Sequence, residues 1–497
     1  MRPWLPLAMA TLLLGACEGR APVADAAVPA GAPVVRELPP VVEDLERRTF
    51  DWFWELGNPV NGLVPDRWPT PSASSIAAVG FGLTAYGVGV ERGWISREQA
   101  VDRTLATLRF FARAPQGTNA AGASGYKGFF YHFLDMDSGL RAGTNELSTV
   151  DTALLLGGVL FAQSYYDRDD RKEAEIRRLA DKIYGRVDWT WAQARKPLIA
   201  MGWKPEEGML KYDWQGYNEA ILVYVLALGS PTHPVGEDAY QAWTATYDRT
   251  WGKFHGQEHL SFPPLFGHQY SHVWIDFRGI RDAYMRTRGI DYFENSRRAA
   301  YAQQAYAIDN PGGWAGYGKA VWGLTASDGP IDASFEFDGT TRLFRTYAPR
   351  GAGIEYVLDD GTLAPTAAAG SIAFAPEIAI PAIEAMHERY GKDIYGEYGF
   401  LDAFNPSFTF ADADLKHGRV TPSGWVDGDY LGIDQGPIVL MIENHRSGFV
   451  WDVMRRNQHI RRGLARAGFS GGWLDATTPD AAAAAQGDRA AGTGKGG

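Results

Sequence analysis

The amino-acid sequence predicts an all-α fold: an (α/α)6 barrel of six inner and six outer helices, with a small β-like insertion and long loops over the barrel mouth. The prediction rests on two kinds of helical segment that alternate along the chain. One kind is apolar on almost every side, and the other is amphipathic and charged. A helix that is apolar around most of its circumference has to be buried on most sides, whereas an amphipathic helix covers a core with one face. The alternation therefore predicts two concentric rings.

The predicted inner helices are rich in Gly, Ala and aliphatic residues and begin near Ser74, Ser148, Asn218, Ser271, Ala375 and Ile433. Glycine inside a helix costs about 1 kcal/mol relative to alanine, so it needs a packing reason. Such glycines occur at Gly80, Gly82, Gly87, Gly157 and Gly158. They indicate closely packed inner helices. The alternative is a generic helical array without a closed ring.

The predicted outer helices begin near Val41, Ser96, Asp170, Asp238, Tyr292 and Val450. Two regions break the alternation. Residues 322–361 carry turn signals and short β-like runs, which predict an insertion over the barrel mouth. Residues 391–432 are long and irregular, which in a compact domain indicates a functional loop.

The first 17 residues predict a lipoprotein signal peptide. One basic residue precedes an apolar stretch that is too short to span a bilayer, and Leu14-Gly15-Ala16-Cys17 resembles the bacterial lipobox. Cys17 is then the lipidation site, and we expect an exported, periplasmic protein anchored by lipid, with the outer membrane favoured. The alternative is cleavage by ordinary signal peptidase and release of a soluble protein.

Composition divides the rest of the chain. Residues 18–40 are rich in Ala, Pro and Val and predict a flexible tether, and residues 476–497 predict a disordered tail. Residues 41–475 contain no second low-complexity break, so we expect one domain and a monomer. Because Cys17 is the single cysteine, this domain has no disulfide.

Charge and aromatic content limit the ligand. The net charge of −11 argues against a nucleic-acid partner, which needs clustered Lys and Arg. Aromatic residues make up 13% of the chain, and Trp203, Trp314 and Trp425 stand in loop-like contexts. A sugar packs its C–H face on an aromatic ring, so loop aromatics beside carboxylates indicate a glycan cleft. The alternative is that each ring is an ordinary core or surface residue.

Carboxylates recur near the starts of the predicted inner helices, at Glu146, Asp151, Glu219, Asp276 and Asp434. In a ring of antiparallel helix pairs, all inner helices run the same way, so these groups are expected at one end of the barrel. The alternative for each is a capping role, because acids at a helix N-terminus meet the dipole favourably. Capping by Ser148 or Thr149 would free Asp151 for another role.

Glycoside hydrolysis needs one carboxylic acid that protonates the leaving oxygen and one carboxylate that activates water or attacks carbon. Glu219 lies between Trp214 and Tyr217 and a wholly apolar helix, the most desolvating context of these acids. Desolvation raises the pKa of a carboxyl, so Glu219 is the predicted acid. Asp151 and Asp434 are candidates for the base, with Glu146 in support.

Other chemistries have weaker signals. His268, His272 and Asp276 have a spacing that suits a metal, but a third convincing ligand is missing, so neither a metal nor another cofactor is expected. The sequence contains no GxSxG elbow, no Walker A motif and no GxGxxG between a strand and a helix. Esterases of the hydrolase fold, P-loop enzymes and Rossmann enzymes therefore lose support.

Motifs along nearly the whole body resemble one known family. They include TFDWFWEL from Thr49, LVPDRWP, GFFYHFLDMDSGLR, ELSTVDTALLLGG, YNEAILVYVLALGSPTHP, PLFGHQYSHVWIDFRG, WGLTASDGP, DGTLAPTAAAGSIAFAPE, YGEYGFLDAFNPS and GIDQGPIVLMIENHRSG. Together they resemble the bacterial glucoamylase-like family, family 144 of the glycoside hydrolases. The resemblance implies an (α/α)6 barrel and an inverting, metal-independent hydrolase of linear β-1,2-glucan.

The resemblance also bears on the site. Glu146, Asp151 and Glu219 lie in the family's most recognisable acidic motifs, whereas Asp434 rests more on its helix position. Further residues would then hold glucose units: Tyr131, His132, Trp203, His272, Trp274, Asp276 and Tyr430.

The expected function is endo-acting, inverting hydrolysis of β-1,2-glucan to sophorooligosaccharides. Its nearest alternative is an exo-acting relative that releases sophorose. A non-catalytic glycan-binding lipoprotein is the alternative outside enzymes. A polysaccharide lyase has less support, because the acidic groups would repel uronates.

Overall fold

The computed structural model describes residues 35–337 and 339–475. The predicted signal peptide with Cys17, most of the tether and the tail over 476–497 lie outside the described residues, so those boundaries stay predictions. In the described part, no helix combines the length and the apolar character needed to cross a bilayer.

The described chain is largely helical. Its α-helices are α1 Pro40–Leu56, α2 Ile76–Glu91, α3 Arg97–Arg113, α4 Thr149–Tyr165, α5 Arg171–Gly185, α6 Trp189–Ala192, α7 Ile221–Gly229, α8 Glu237–Thr244, α9 Tyr270–Trp274, α10 Ala283–Arg288, α11 Tyr292–Asp309, α12 Pro365–Ala369, α13 Pro376–Ile394, α14 Gly432–Arg446, α15 Phe449–Met454, α16 Gln458–Arg466 and α17 Gly472–Asp475. Short 3₁₀ turns cover Tyr247–Arg249 and Leu265–His268.

The strands are short and lie between the helices. They are β1 Arg67–Trp68, β2 Ser74–Ser75, β3 Gly125–Tyr126, β4 Phe129–Tyr131, β5 Phe133–Leu134, β6 Leu147–Ser148, β7 Gly202–Lys204, β8 Gly208–Met209, β9 Trp251–Phe254, β10 Gln257–Leu260, β11 Ala326–Ser327, β12 Ala333–Phe337, β13 Thr340–Phe344, β14 Ala348–Pro349, β15 Gly351–Ala352, β16 Val357–Leu358, β17 Tyr395–Gly396, β18 Gly399–Phe400, β19 Phe404–Asn405, β20 Arg419–Thr421, β21 Gly424–Val426 and β22 Tyr430–Leu431.

Several strands lead directly into buried helices and so fix their N-terminal ends. The antiparallel sheet β3-β4-β6-β7-β8 includes β6, which is followed at once by α4. Strand β22 pairs with β1, with Leu431 opposite Arg67, and runs into α14. These pairings hold the loops at the helix starts in defined positions.

The two predicted kinds of helix are both present. Helix α7 is buried at every residue, and α2, α4 and α14 are buried along nearly their whole length. Helices α3 and α5 bury one face and expose charged residues on the other. The apolar helices therefore form the centre of the domain, and the amphipathic ones cover it.

Helices α2 and α4 touch at their backbones. A Cβ atom at Gly158 would lie 2.1 Å from the carbonyl oxygen of Gly80, and one at Gly80 would lie 2.2 Å from the oxygen of Leu154. At Gly157 a Cβ would lie 2.6 Å from the Trp274 ring. Gly82 and Gly87 likewise face aromatic rings at short distance. The close packing predicted from these glycines is confirmed.

Three helical segments differ from the prediction. Helix α13 is amphipathic, with exposed Glu384 and His387, and the buried helix in this region is the short α12 that precedes it. Helix α9 ends at Trp274, since Ile275 is extended, and a separate helix starts after the Asp282 cap. The helix predicted from Asp238 ends at Thr244, and a β-hairpin follows.

The predicted insertion is a set of short β-pairs, of which β12 and β13 form the longest hairpin. Phe344 of the insertion belongs to a small apolar cluster with Trp314, Ala403, Phe408 and Trp425. Because the last three belong to the irregular 391–432 region, this cluster packs the two irregular regions together.

The contact between α2 and α4 predicts that Gly158→Ala destabilises the protein. The new methyl group meets a backbone carbonyl that cannot move without its helix, so we expect a loss of about 1–3 kcal/mol in the free energy of unfolding. Gly117→Ala is the matched control, because a Cβ there meets nothing within 4 Å. Urea unfolding measures both, and equal stability of the two variants would contradict the packing described.

Candidate active site

A cavity of about 460 Å³ opens at the N-terminal ends of the buried helices. It is lined by Asp66, Arg67, Ser75, His132, Phe133, Val150, Asp151, Leu154, Glu219, Phe266, Tyr270, Ala326, Tyr347, Leu431, Ile433 and Asp434. Ser75, Val150 and Ile433 lie at or within the first turns of α2, α4 and α14. The helix starts thus meet at one cleft, as predicted, and bring three of the candidate carboxylates to it.

Asp151 lies in the first turn of α4 but does not cap it. Ser148 is the cap: its hydroxyl oxygen accepts from the Asp151 backbone N–H at 3.2 Å. The same hydroxyl lies 2.5 Å from Oδ2 of Asp151, where it donates. The Asp151 carboxylate therefore does not cap the helix, and it lines the cavity.

His132 joins two of the candidate acids. Its Nδ1 lies 3.0 Å from Oε1 of Glu146, and its Nε2 lies 3.5 Å from Oδ1 of Asp151. Burial alone would lower the pKa of His132, but these two carboxylates raise it to about 9. In return, the hydrogen bond from His132 lowers the pKa of Glu146. The imidazole is therefore a cation at neutral pH and keeps Glu146 ionised.

Glu219 lies in the turn just before α7, and its environment is the opposite of that of Glu146. Its Oε2 is enclosed and has no hydrogen-bond partner among the described residues. Burial, followed by the charge of Asp151, raises the pKa of Glu219 to about 7. A carboxyl that still holds its proton near neutral pH can donate it to a leaving oxygen.

Asp434 lies in the first turn of α14 and is almost completely buried. Its Oδ2 has no donor within the described part of the chain. Burial, followed by the neighbouring charge of Asp402, raises the pKa of Asp434 well above its usual range.

Behind this wall lies a group of acids that sequence reasoning missed. Arg67 is 2.7 Å from Asp328 and 3.4 Å from Asp429 through Nη1. Asp328, Asp402 and Asp427, here called the acidic cluster, each place a carboxylate oxygen within 4.8 Å of the others. Burial, with the charges of Asp402 and Asp328, raises the pKa of Asp427 to about 9.

The predicted sugar-binding residues separate into three groups. His132 lines the cavity. Tyr131, Trp203 and Tyr430 lie outside its lining: Tyr131 is buried under the Arg141 guanidinium, Trp203 packs on Tyr126, and Tyr430 meets Tyr398 edge to face.

His272, Trp274 and Asp276 occupy the protein core instead of the cleft, each at most 2% exposed. His272 pairs with Ser296 at 3.1 Å, and Trp274 donates to Thr84 at 2.9 Å. Asp276 follows the end of α9 and forms ion pairs with Arg278 and Arg455. These three residues were predicted to bind sugar, but their partners lie in the protein interior. The reason is that α9 is short and buried on all sides.

Several lining residues had no sequence signal of their own, among them Phe133, Phe266, Tyr270 and Tyr347. Asp66 and Arg67 belong to the motif LVPDRWP, which contributed to the family resemblance but gave neither residue a predicted role. Tyr347 comes from the predicted insertion, which places it over the mouth as expected of that region.

A second cavity of about 350 Å³ is lined in part by the residues that precede Glu219 in the chain. Its lining includes Tyr217, Asn218, Arg249, Glu355 and Tyr356. Asn218 precedes Glu219 in the chain, but Glu219 itself lines only the first cavity.

A family model described as Glycoamylase (Putative glucoamylase) matches residues 211–458. A curated relative, the exo β-1,2-glucooligosaccharide sophorohydrolase (non-reducing end) of Parabacteroides distasonis, is 28% identical over 459 residues, which cover 86% of this chain and 57% of the relative. This chain therefore spans little more than half the length of that relative.

Two solved structures are similar over almost their whole length. The putative glucoamylase of Bacteroides uniformis is 30% identical with a TM-score of 0.74, covering 88% of this chain and 100% of that one. The endo-β-1,2-glucanase of Chitinophaga pinensis is 27% identical with a TM-score of 0.73, covering 87% and 98%. These neighbours are helical barrels, and the chain shares their fold. With its motifs, its cleft of carboxylates and this full-length similarity, the chain belongs to the glucoamylase-like family, as the sequence indicated.

Proposed function

We propose that the protein is a glycoside hydrolase that cleaves β-1,2-glucan. The observation that carries the proposal is Glu219, whose pKa of about 7 and unpartnered Oε2 make it a proton donor in the same cavity as Asp151 and Asp434. The names of two relatives, a sophorohydrolase and an endo-β-1,2-glucanase, support the linkage.

The reaction needs two proton movements. Glu219 gives its proton to the glycosidic oxygen as the bond from that oxygen to the anomeric carbon breaks. A water molecule attacks the same carbon from the other face and gives a proton to a carboxylate, and the expected result is inversion. Asp151, oriented by His132 and by the Ser148 hydroxyl, is the favoured base. Asp434 is the second candidate, but its raised pKa favours the protonated form, which cannot accept a proton.

Endo action is the proposed mode. The name of one relative supports it: the endo-β-1,2-glucanase of Chitinophaga pinensis, of which this chain covers 98%. The exo-acting alternative is kept because one relative carries that name.

The finer architecture is proposed as an (α/α)6 barrel. The buried helices α2, α4, α7, α9, α12 and α14 would form the inner ring, and packing of α2 against α4 and α14, and of α4 against α7, supports this order.

The cellular setting is also a proposal. Cys17 in its lipobox supports an exported protein held by lipid on the periplasmic side of the outer membrane, and Glu18 is not the Asp associated with inner-membrane retention. A monomer is proposed as well. Two or more acyl chains would anchor it stably.

Substitution of the carboxylates tests the roles. Glu219→Gln keeps the shape of the side chain but cannot donate a proton, so we expect kcat on linear β-1,2-glucan to fall about 10²–10⁴-fold while binding persists. Replacing the base by Asn is expected to lower kcat by a similar factor. Comparison of Asp151→Asn with Asp434→Asn therefore identifies which of the two residues is the base. Glu384→Gln, on the exposed face of α13, is the control. Full activity of Glu219→Gln would remove it as the acid.

The pKa of Glu219 predicts a pH dependence. Because only the protonated form can act, kcat/KM is expected to fall about tenfold per pH unit as the pH rises above about 7. A steeper loss is expected above about 9, where His132 loses its charge. Initial rates across this range check the slope, and a rate that stays flat to pH 9 would contradict the assignment.

Product length separates endo from exo action. The protein without residues 1–17 is incubated with linear β-1,2-glucan, and products are followed by chromatography. A ladder of short oligosaccharides is expected, and sophorose alone would show the exo mode. Bound glucan without products would support the non-catalytic alternative.

A further inference from the structure

The acidic cluster lies behind the wall of the cleft and does not line it. Asp328 follows β11, Asp402 lies between β18 and β19, and Asp427 follows β21. Their exposed fractions are 1%, 2% and 0%, so they are enclosed by protein.

Hydrogen bonds satisfy only half of what Asp402 and Asp427 can accept. Oδ2 of Asp402 accepts from the Asp328 backbone N–H at 2.7 Å, and Oδ1 of Asp427 accepts from Gly428 N–H at 2.7 Å. The other oxygen of each, Oδ1 of Asp402 and Oδ2 of Asp427, is enclosed and has no partner among the described residues. A buried polar atom left without a partner costs free energy, so each of these needs an explanation.

A fourth carboxyl, that of Asp434 on α14, lies beside the acidic cluster. Oδ2 of Asp434 is enclosed and receives no hydrogen bond from an N–H or O–H group of the described residues, and the carboxyl lies beside that of Asp402. Two carboxylates in contact repel unless a proton or a cation lies between them.

Positive charge from the protein is too scarce to neutralise the group. Arg67 pairs with Asp328, and its guanidinium is shared with Asp429 and Asp66. For Asp402, Asp427 and Asp434, the described residues supply no cationic group at ion-pair distance. Buried charges are normally paired or coordinate a metal.

We propose that Asp328, Asp402 and Asp427 bind one hard divalent cation, with Ca²⁺ the favoured ion. The donors are all carboxylate oxygens, which suit Ca²⁺ or Mg²⁺ and not the soft metals that prefer sulfur or imidazole. Three carboxylates from separate segments suit the flexible geometry of Ca²⁺ better than the strict octahedron of Mg²⁺.

The role of this cation is structural. It joins the insertion after β11 to two points of the irregular 391–432 region, and it lies next to Asp434 without facing the cleft. The inference does not depend on the proposed function, because it concerns ligands outside the cleft.

Metal content tests the proposal directly. The protein is purified without a metal-affinity step, dialysed into metal-free buffer and analysed by inductively coupled plasma mass spectrometry. We expect about one Ca²⁺ or Mg²⁺ per chain in the wild type and in Asp169→Asn, an exposed control, and a loss of at least about half of it in Asp427→Asn. Chelator-treated wild type should regain a higher unfolding temperature when CaCl2 is added.

The alternative is that the acidic cluster holds protons instead of a cation. Asparagine resembles a protonated aspartic acid, so Asp427→Asn would then keep or raise the unfolding temperature, and the wild type would hold no metal. That pair of results would overturn the proposal. If Asp427→Asn does not fold, the metal content of the wild type and its response to CaCl2 decide alone.

Discussion

The backbone contact between α2 and α4 is the constraint on which the rest of the site depends. At Gly80 and Gly158 no side chain larger than hydrogen fits, so the two helices are held at one distance and one rotation. Asp151 lies two turns before Gly158 on α4, and Ser75 caps α2, so the contact fixes both at the cavity wall. The geometry of the candidate site is therefore set by the apolar packing below it.

Burial then gives similar carboxyl groups different chemistry. Glu146 accepts a hydrogen bond from the His132 cation and stays ionised, whereas Glu219 has no such partner and its pKa rises to about 7. Hydrolysis of a glycosidic bond requires carboxyl groups in both states, and in the proposed reaction Glu219 is the donor while Asp151 or Asp434 accepts the proton from water. The charge is concentrated at one end of the barrel, with Arg67 among the few cations near it.

Sequence reasoning predicted the two kinds of helix, the convergence of helix starts and the desolvated environment of Glu219, because hydrophobic pattern and local context determine them. It did not place α12, whose few apolar residues gave no periodic signal beside the longer α13. It placed His272 and Asp276 in the cleft because the sequence does not reveal that α9 is short, ends at Trp274 and is buried on all sides. Asp402 and Asp427 were missed because long-range folding of irregular loops, and no local pattern, brings them together.

The central claim is that Glu219 holds a proton near neutral pH inside the cleft. Infrared difference spectra of wild type minus Glu219→Gln, recorded across a pH titration, isolate the carbonyl stretch of this one carboxyl from the other buried acids. The account predicts a protonated-carboxyl band that disappears with a midpoint near the pKa of about 7. A carboxyl that is already ionised at pH values near the ordinary glutamate pKa of about 4.3 would contradict it.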